Sequence, residues 1–188
     1  MEYDPNIDIK VTDDVYPPSE DSILLIESLD VREGERILEV GCGSGVVSIH
    51  CTRYGADVVS VDINPSAVEC TRLNAERNDV TIDVRLSDVY DNVSERFDTI
   101  VFNLPYLPVD DDGMLAKAWS GGPDGLGPLP RLLEGSKDHL TDGGRIVVVV
   151  SSLMDKDALD SILKGCKIEK KGRLPLFFEV LEVLEIIP

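Results

Sequence analysis

The segment Asn103-Leu104-Pro105-Tyr106 contains residue types that can hold a planar NH₂ group for chemistry at its nitrogen. The Asn103 side-chain carbonyl can accept one N–H of such a group, and the backbone carbonyl of Leu104 can accept the other. Pro105 drives the preceding residue towards an extended conformation, which fixes the direction of the Leu104 carbonyl. Tyr106 offers a flat face against which an amide or a base can lie. We predict that these residues align an amide or amine nitrogen for attack.

The glycine-rich segment Glu39-Val40-Gly41-Cys42-Gly43-Ser44-Gly45 is a second candidate site, between a predicted strand and a predicted helix. Glycines allow a tight turn and let a ligand approach the backbone. The spacing G-x-G-x-G differs from the G-x-G-x-x-G fingerprint that binds a pyrophosphate. The carboxylate of Glu39 would repel a pyrophosphate but can pair with a cationic sulfonium or ammonium group. The segment therefore disfavours a dinucleotide and favours a cationic ligand.

Two further acids follow predicted strands, where ligands of open parallel sheets bind. Asp62 ends the second strand, at the position where an acid accepts hydrogen bonds from a ribose diol. Asp88 follows the third strand and could contact an adenine amino group, with Val89 contributing its backbone. A helix-capping role is the alternative for Asp62, although Asn64 is better placed for it, and a turn-forming role is the alternative for Asp88. Together with the glycines, these residues predict a cationic ligand that carries ribose and adenine.

The order of predicted elements indicates an α/β sheet, because strand-like and helix-like segments alternate with short connections. The predicted strands are 36–40, 57–61, 81–86, 98–102 and 145–150, with a strand-rich antiparallel segment at 177–187. The predicted helices are 19–29, 45–54, 65–77, 128–140 and 155–164. The long irregular stretch 103–127 directly follows the fourth strand, so we expect it to be functional. Trp119 within it could anchor the loop, contact the substrate or belong to the core.

The chain carries 36 acidic and 18 basic residues, which gives a formal net charge of −18. The acids are spread over the whole length, which is typical of the solvated surface of a protein from a halophilic archaeon. An acidic face for a basic partner is the alternative interpretation. The charge disfavours a nucleic-acid substrate, because binding phosphates normally requires a Lys/Arg patch. The one basic cluster consists of Lys167, Lys170, Lys171 and Arg173. We interpret it as a solvated face, and a contact surface for RNA or an acidic partner is the alternative.

The four cysteines, Cys42, Cys51, Cys70 and Cys166, form no C-x-x-C pair and have no His at zinc spacing, so we expect free thiols and no metal. The polar N-terminus does not resemble a signal peptide, and no segment reaches the roughly 18–20 apolar residues of a membrane span. We expect one domain over 1–188 in a cytoplasmic protein with no membrane partner.

These motifs together resemble the HemK family of protein-glutamine methyltransferases, which modify the glutamine of the Gly-Gly-Gln motif in peptide-chain release factors. The resemblance rests on the glycine segment at 37–49, the reactive motif at 98–106, the segment YPPSEDS at 16–22 and the segment AWSGGPDG at 118–125. No helical N-terminal domain is expected, which makes the chain similar to the short archaeal–eukaryotic branch that modifies the translation termination factor.

The resemblance implies a Rossmann-like class I methyltransferase fold, α/β, with a seven-stranded, mostly parallel sheet and an antiparallel last strand. It implies S-adenosylmethionine as the cofactor, covered by residues 1–30, and a substrate loop at 103–127. The cofactor-binding residues would be Ser22, Glu39, Gly41, Gly43, Gly45, Asp62, Asp88, Val89 and Asn103. It also implies a heterodimer, in which this catalytic subunit binds a small zinc-binding activator through an exposed edge strand at 81–86, and a release factor as the protein substrate.

One position departs from the family pattern: Leu104 stands where the family usually has Pro. Asn-Leu-Pro-Tyr is similar to the motif of ribosomal RNA adenine dimethylases, so an RNA or DNA adenine N6-methyltransferase is the alternative. Those enzymes normally carry a further helical domain and a basic surface, and we expect neither here. A third hypothesis, a cofactor-binding scaffold without activity, is disfavoured by the intact Asn103 and Tyr106. The surrounding motifs favour glutamine, although the same pocket could admit a lysine.

Overall fold

A computed structural model describes all residues 1–188 and contains seven strands in one sheet. They are β1 (Arg36–Val40), β2 (Asp57–Asp62), β3 (Asp83–Leu86), β4 (Phe97–Phe102), β5 (Leu140–Ser151), β6 (Lys167–Pro175) and β7 (Val180–Ile187). Their order is β3-β2-β1-β4-β5-β7-β6. The first five strands run parallel, whereas β7 is antiparallel to both β5 and β6. This topology confirms the predicted α/β class and the antiparallel last strand.

Five α-helices and a 3₁₀ turn accompany the strands, and the first helix precedes β1. The helices are α1 (Glu20–Ser28), α2 (Val46–Arg53), α3 (Pro65–Arg77), α4 (Leu129–His139) and α5 (Lys156–Ile162), with the 3₁₀ turn at Leu115–Ala118. Two hydrophobic clusters lie on opposite faces of the sheet. Along β5, Ile146 and Val148 pack in the cluster that contains α4, while Val147 and Val149 pack with α1 and α2. Burial on both faces explains the unbroken apolar run of this strand.

The sequence prediction missed β6, whose residues were interpreted as a solvated basic face. The strand lies at the edge of the sheet, where alternating apolar residues are not required and charged residues discourage association with other chains. Its Lys170, Lys171 and Arg173 pair with acids, mostly on β7. The predicted strand at 177–187 begins only at Val180. At the opposite edge, the predicted strand at 81–86 is shortened to the four residues of β3, which is an edge strand as expected.

Register places the candidate site residues together. Val40 at the end of β1 is level with Val61 on β2 and with Phe102 on β4. The residues that follow these three, Gly41, Asp62 and Asn103, therefore emerge side by side at the carboxyl edge of the sheet. No helix combines the length and the apolar character needed to cross a membrane.

Candidate active site

The glycine-rich turn between β1 and α2 has the left-handed backbone that its composition predicts. Gly41, Gly43 and Gly45 have φ values of 68°, 54° and 80°. A Cβ at Gly41 would lie 2.7 Å from the Phe102 ring, and one at Gly45 would lie 2.8 Å from the Thr71 side chain. A cavity opens beside this turn, at the carboxyl edge of the sheet. Gly43 would have open space at its Cβ position and lines this cavity, whereas Gly45 does not line it. Gly41 and Gly43 therefore shape the cavity, and Gly45 allows α2 to begin close against α3.

Asp62 is buried at the end of β2 and holds this turn in place. One carboxylate oxygen accepts the backbone N–H of Gly43 at 2.9 Å, and the other accepts the N–H of Asn64 at 2.8 Å. Asn64 in turn caps α3 by accepting the N–H of Ser66, so Asp62 is not the cap. Burial raises the pKa of Asp62, partly offset by these hydrogen bonds. The carboxylate lines the cavity and keeps lone pairs available for ligand hydroxyls.

Glu39 lies buried beneath the glycine turn, and it also lines the cavity. One of its carboxylate oxygens accepts hydrogen bonds from the backbone N–H of Ser48, at 3.0 Å, and from the Ser48 hydroxyl. Burial raises the pKa of Glu39 to about 8, and the nearby charge of Asp62 adds to the rise. A cationic group in the cavity would favour its ionised form. This geometry is compatible with the predicted contact to a sulfonium or ammonium group.

Asp88 and Val89 line the cavity beyond β3. The Asp88 carboxylate forms an ion pair with Arg131 of α4 at 2.7 Å, a contact that the sequence does not indicate. Val89 is buried and has a positive φ of 49°, which is uncommon for a β-branched residue and marks a constrained turn. An adenine amino group would have to share the Asp88 carboxylate with Arg131.

Asn103 provides the clearest chemical feature of the cavity. Its side-chain nitrogen donates to the hydroxyl of Ser22 at 3.5 Å. Its amide oxygen is the one buried side-chain polar atom of the chain without a hydrogen-bond partner. Both residues line the cavity. A buried acceptor without a partner is rare and unfavourable, and a donor on a bound ligand would satisfy it.

The other residues of the reactive motif are placed differently from one another. Pro105 lines the cavity, whereas the Leu104 side chain is buried in the core. Tyr106 is not among the residues that line the cavity; its side chain is partly buried and packs against both hydrophobic clusters. Its hydroxyl donates to the carboxylate of Asp21 at 3.3 Å. Burial raises the pKa of Tyr106, and the charge of Asp21 raises it further. The predicted role of Tyr106 as a flat face for the acceptor stays a prediction.

Three glycines of the loop after the 3₁₀ turn pack against the backbone of the reactive motif. A Cβ at Gly121 or Gly127 would lie 2.7 or 2.8 Å from the Pro105 carbonyl oxygen, and one at Gly125 would lie 2.7 Å from that of Tyr106. No other residue type permits this approach without displacing the motif. The loop therefore packs directly against the motif, which explains its glycine content, and Gly121 and Gly127 also line the cavity.

The N-terminal segment completes the wall of the cavity. Residues 15–18 and Ser22 contribute to its lining, together with Asp110 and Asp111 of the long loop. The ring of Tyr16 lies 6.0 Å from that of Trp119, whose indole N–H donates to Asp111 at 2.8 Å. Trp119 thus anchors the loop to the N-terminal segment and does not belong to the core. His50, by contrast, is structural: it accepts the backbone N–H of Asp4 and contacts the Val46 carbonyl.

The sequence analysis missed two residues, Asp21 and Arg131. Asp21 lies in the quoted segment at 16–22, and its contact with Tyr106 joins positions 85 residues apart. Arg131 is separated from Asp88 by 43 residues and belongs to a helix on one face of the sheet. No local pattern marks either residue, because both act through contacts that exist only in the folded chain.

The residues around the cavity fit S-adenosylmethionine. The cavity has a volume of about 480 Å³, within the usual range for a small-molecule site. Two acids, Glu39 and Asp62, line the cavity together with Gly43 and with Asn103, whose buried amide oxygen has no hydrogen-bond partner. The sheet order and the position of the site define a class I methyltransferase that uses this cofactor.

Comparison with known proteins identifies the family. The family model described as the methyltransferase small domain matches residues 19–174. A Methanocaldococcus jannaschii protein, classed provisionally as a protein N5-glutamine methyltransferase, is 40% identical over 185 residues, or 95% of this chain and 94% of that protein. The Homo sapiens methyltransferase HEMK2 is 32% identical over 167 residues, or 80% of this chain and 78% of that protein.

The solved complex of E. cuniculi Mtq2 with Trm112, responsible for methylation of the eRF1 translation termination factor, shares the fold. Its TM-score is 0.73 at 22% identity, with 92% of this chain and 98% of that chain covered. The chain belongs to the methyltransferase small-domain family and, within it, to the HemK family of protein-glutamine methyltransferases. The resemblance predicted from the motifs is thereby confirmed.

Proposed function

We propose that the chain methylates the side-chain amide nitrogen, N5, of the glutamine in the Gly-Gly-Gln motif of a peptide-chain release factor. The observation that carries this proposal is the buried amide oxygen of Asn103, which has no hydrogen-bond partner. An unsatisfied buried acceptor costs about 1–3 kcal/mol. One N–H of a primary amide would remove this cost on binding, and the backbone carbonyl of Leu104, the residue before Pro105, would accept the second.

The two acceptors also suit the chemistry of an amide nitrogen. S-adenosylmethionine supplies an electrophilic methyl group when it is bound. The glutamine amide nitrogen is a poor nucleophile, and its N–H groups become stronger donors as it gains positive charge in the transition state. Oxygen atoms from Asn103 and Leu104 therefore stabilise the transition state more than the ground state. The nitrogen would form one N–C bond as the methyl–sulfur bond of S-adenosylmethionine breaks, and the bonding electron pair would stay on the sulfur of the departing S-adenosylhomocysteine. The nitrogen would then release one proton to solvent, which restores a neutral amide.

We further propose that a small zinc-binding activator covers the β3 edge. The strand is only four residues long, and Leu86 at its end is 48% exposed. Leu73 of α3, the helix that packs against β3, is similarly exposed. The edge also carries the charged pair Asp83 and Arg85, so the two exposed leucines, and not an apolar strand, are the surface that a partner would cover. The names of the relatives support glutamine methylation and a partner subunit, since one neighbour is a two-protein complex that methylates a termination factor. The position at β3 rests on the exposed leucines.

Adenine N6 in RNA or DNA is the second candidate acceptor, because Leu104 makes the motif similar to that of adenine dimethylases. The charge distribution disfavours it. The basic cluster lies on β6, at the opposite end of the sheet from β3, and Lys170, Lys171 and Arg173 are already paired with acids. A net charge of −18 further disfavours binding to phosphates.

The acceptor can be identified by incubating the chain and its activator with labelled S-adenosylmethionine at high salt. The tested acceptors are a release factor, the same factor with the Gly-Gly-Gln glutamine replaced by alanine, and total RNA. We expect label only in the unmodified release factor. Label in RNA would establish the adenine alternative, and label that persists on the alanine variant would exclude this glutamine as the acceptor.

A further inference from the structure

We propose that Asp21 is a positioning residue that determines which end of the Asn103 amide faces the acceptor, and so makes the site selective for a nitrogen that carries N–H groups. This inference rests on the proposed function and deepens it. Asp21 lies half-buried in the first turn of α1 and does not line the cavity. It acts through Ser22, which lines the cavity, and through Tyr106, which belongs to the reactive motif.

One carboxylate oxygen of Asp21 controls the hydroxyl group of Ser22. It accepts the Ser22 backbone N–H at 2.6 Å and the Ser22 hydroxyl at 3.2 Å. A serine hydroxyl has a single hydrogen to donate. Because that hydrogen is directed to Asp21, the Ser22 oxygen faces Asn103 as an acceptor, and the Asn103 amide nitrogen donates to it at 3.5 Å. The amide oxygen of Asn103 is consequently the end left without a partner.

The other carboxylate oxygen of Asp21 accepts the Tyr106 hydroxyl at 3.3 Å. Burial and the Asp21 charge raise the pKa of Tyr106, so its hydroxyl remains protonated and continues to donate. A single carboxylate thus connects the first residue of the reactive motif, through Ser22, with the last. Because α1 belongs to the N-terminal segment, this connection also ties the cavity wall to the motif.

The orientation of Asn103 determines which acceptors the site can bind. With the oxygen facing the acceptor, the site receives an N–H. If the amide turned over, its NH₂ group would face the NH₂ group of the substrate, and two donors would oppose each other. Replacing Asp21 with Asn removes one acceptor oxygen and adds a donor, so the Ser22 hydroxyl becomes free to donate to Asn103. The reversed orientation is then allowed.

The test compares Asp21→Asn with Glu20→Gln. Glu20 is the matched control: it precedes Asp21 in the same helical turn, is exposed, and bonds only to the neighbouring Ser19 side chain. We expect Asp21→Asn to lower kcat on the release factor by about 10- to 100-fold, the effect of misaligned reactants, with the Kd for S-adenosylmethionine within about threefold. The ¹⁵N resonance of the Asn103 side-chain amide should also move. Glu20→Gln should leave kcat, the Kd for S-adenosylmethionine and the Asn103 resonance unchanged.

A double-mutant cycle with Tyr106→Phe separates positioning from general stability, because the two substitutions should be non-additive in kcat if one carboxylate serves both. Three outcomes would overturn the inference: kcat within twofold of wild type, a loss of cofactor affinity equal to the loss of kcat, or an unmoved Asn103 resonance. If wild type fails to methylate the release factor while the resonance moves only in Asp21→Asn, the proposed function is wrong and the positioning role of Asp21 stands.

Discussion

Asn103 and Ser22, 81 residues apart in sequence, are joined by a hydrogen bond of 3.5 Å between the Asn103 amide nitrogen and the Ser22 hydroxyl. Asn103 follows β4, whereas Ser22 lies in α1, in the segment that forms part of the cavity wall. The proposed acceptor site and the wall of the cofactor cavity are therefore connected directly. Order in the N-terminal segment and alignment of the acceptor are expected to depend on each other.

The glycine loop that packs against the reactive motif should not tolerate a methyl group added at one of its glycines. We expect Gly121→Ala to displace the Pro105 carbonyl, which its Cβ would approach to 2.7 Å, and to lower kcat at least tenfold. The Kd for S-adenosylmethionine, measured by calorimetry, should stay nearly unchanged. Gly113→Ala is the control, since its Cβ would meet nothing within 4 Å although its φ of +108° is strained. An equal loss of kcat in both variants would assign the effect to destabilisation.

The buried Glu39 should make stability depend on pH. Its pKa is raised to about 8, from an ordinary value of 4.5, so the folded chain binds more protons than the unfolded chain between these values. Stability should therefore fall as pH rises through this interval, by at most about 1.4 kcal/mol per pH unit from this group. Urea unfolding of wild type and Glu39→Gln from pH 5 to 8 measures the difference. The exposed Glu27→Gln is the control, and equal slopes for Glu39→Gln and wild type would contradict the prediction.

The two edges of the sheet offer a matched test of the activator surface. Leu86 on β3 and Ile168 on β6 are 48% and 43% exposed, so an aspartate should be tolerated at either position. We expect Leu86→Asp to weaken activator binding at least 30-fold, which corresponds to about 2 kcal/mol, and Ile168→Asp to leave it unchanged. Titration calorimetry with the purified activator gives both affinities. Loss of binding in Ile168→Asp alone would move the interface to β6.

The excess of 18 negative charges should make the fold dependent on salt. Raising ionic strength from 0.1 to 1 M shortens the screening length from about 10 Å to about 3 Å and reduces self-repulsion. We expect Tm to rise over this range, by about 2–4 °C for each kcal/mol gained. Scanning calorimetry in KCl, with sucrose of equal osmolality as the control, measures the effect. A Tm that stays constant or falls with KCl would argue against adaptation to high salt.

Most of the sheet could be predicted from the sequence because its central strands are apolar on both faces. The predicted segment 36–40 matches β1, and α3 matches 65–77. The charged β6 has no such pattern, because an edge strand buries little side-chain surface. The positions of the glycine turn, Asp62 and Asn103 could be predicted because each lies at the carboxyl end of a strand or directly after it. The roles of Asp21 and Arg131 could not, because hydrogen bonds across 85 residues and ion pairs across 43 have no local signal.

The most direct test of the proposed chemistry is the effect of Asn103→Ala on methyl transfer and on cofactor binding, measured on the same preparation. We expect kcat on the release factor to fall by about 10²- to 10³-fold, because the variant removes an acceptor that acts on charge developing in the transition state. The Kd for S-adenosylmethionine by calorimetry should remain within about threefold of wild type. Unchanged turnover would contradict the assignment, and a loss of cofactor affinity equal to the loss of kcat would place Asn103 in the cofactor site.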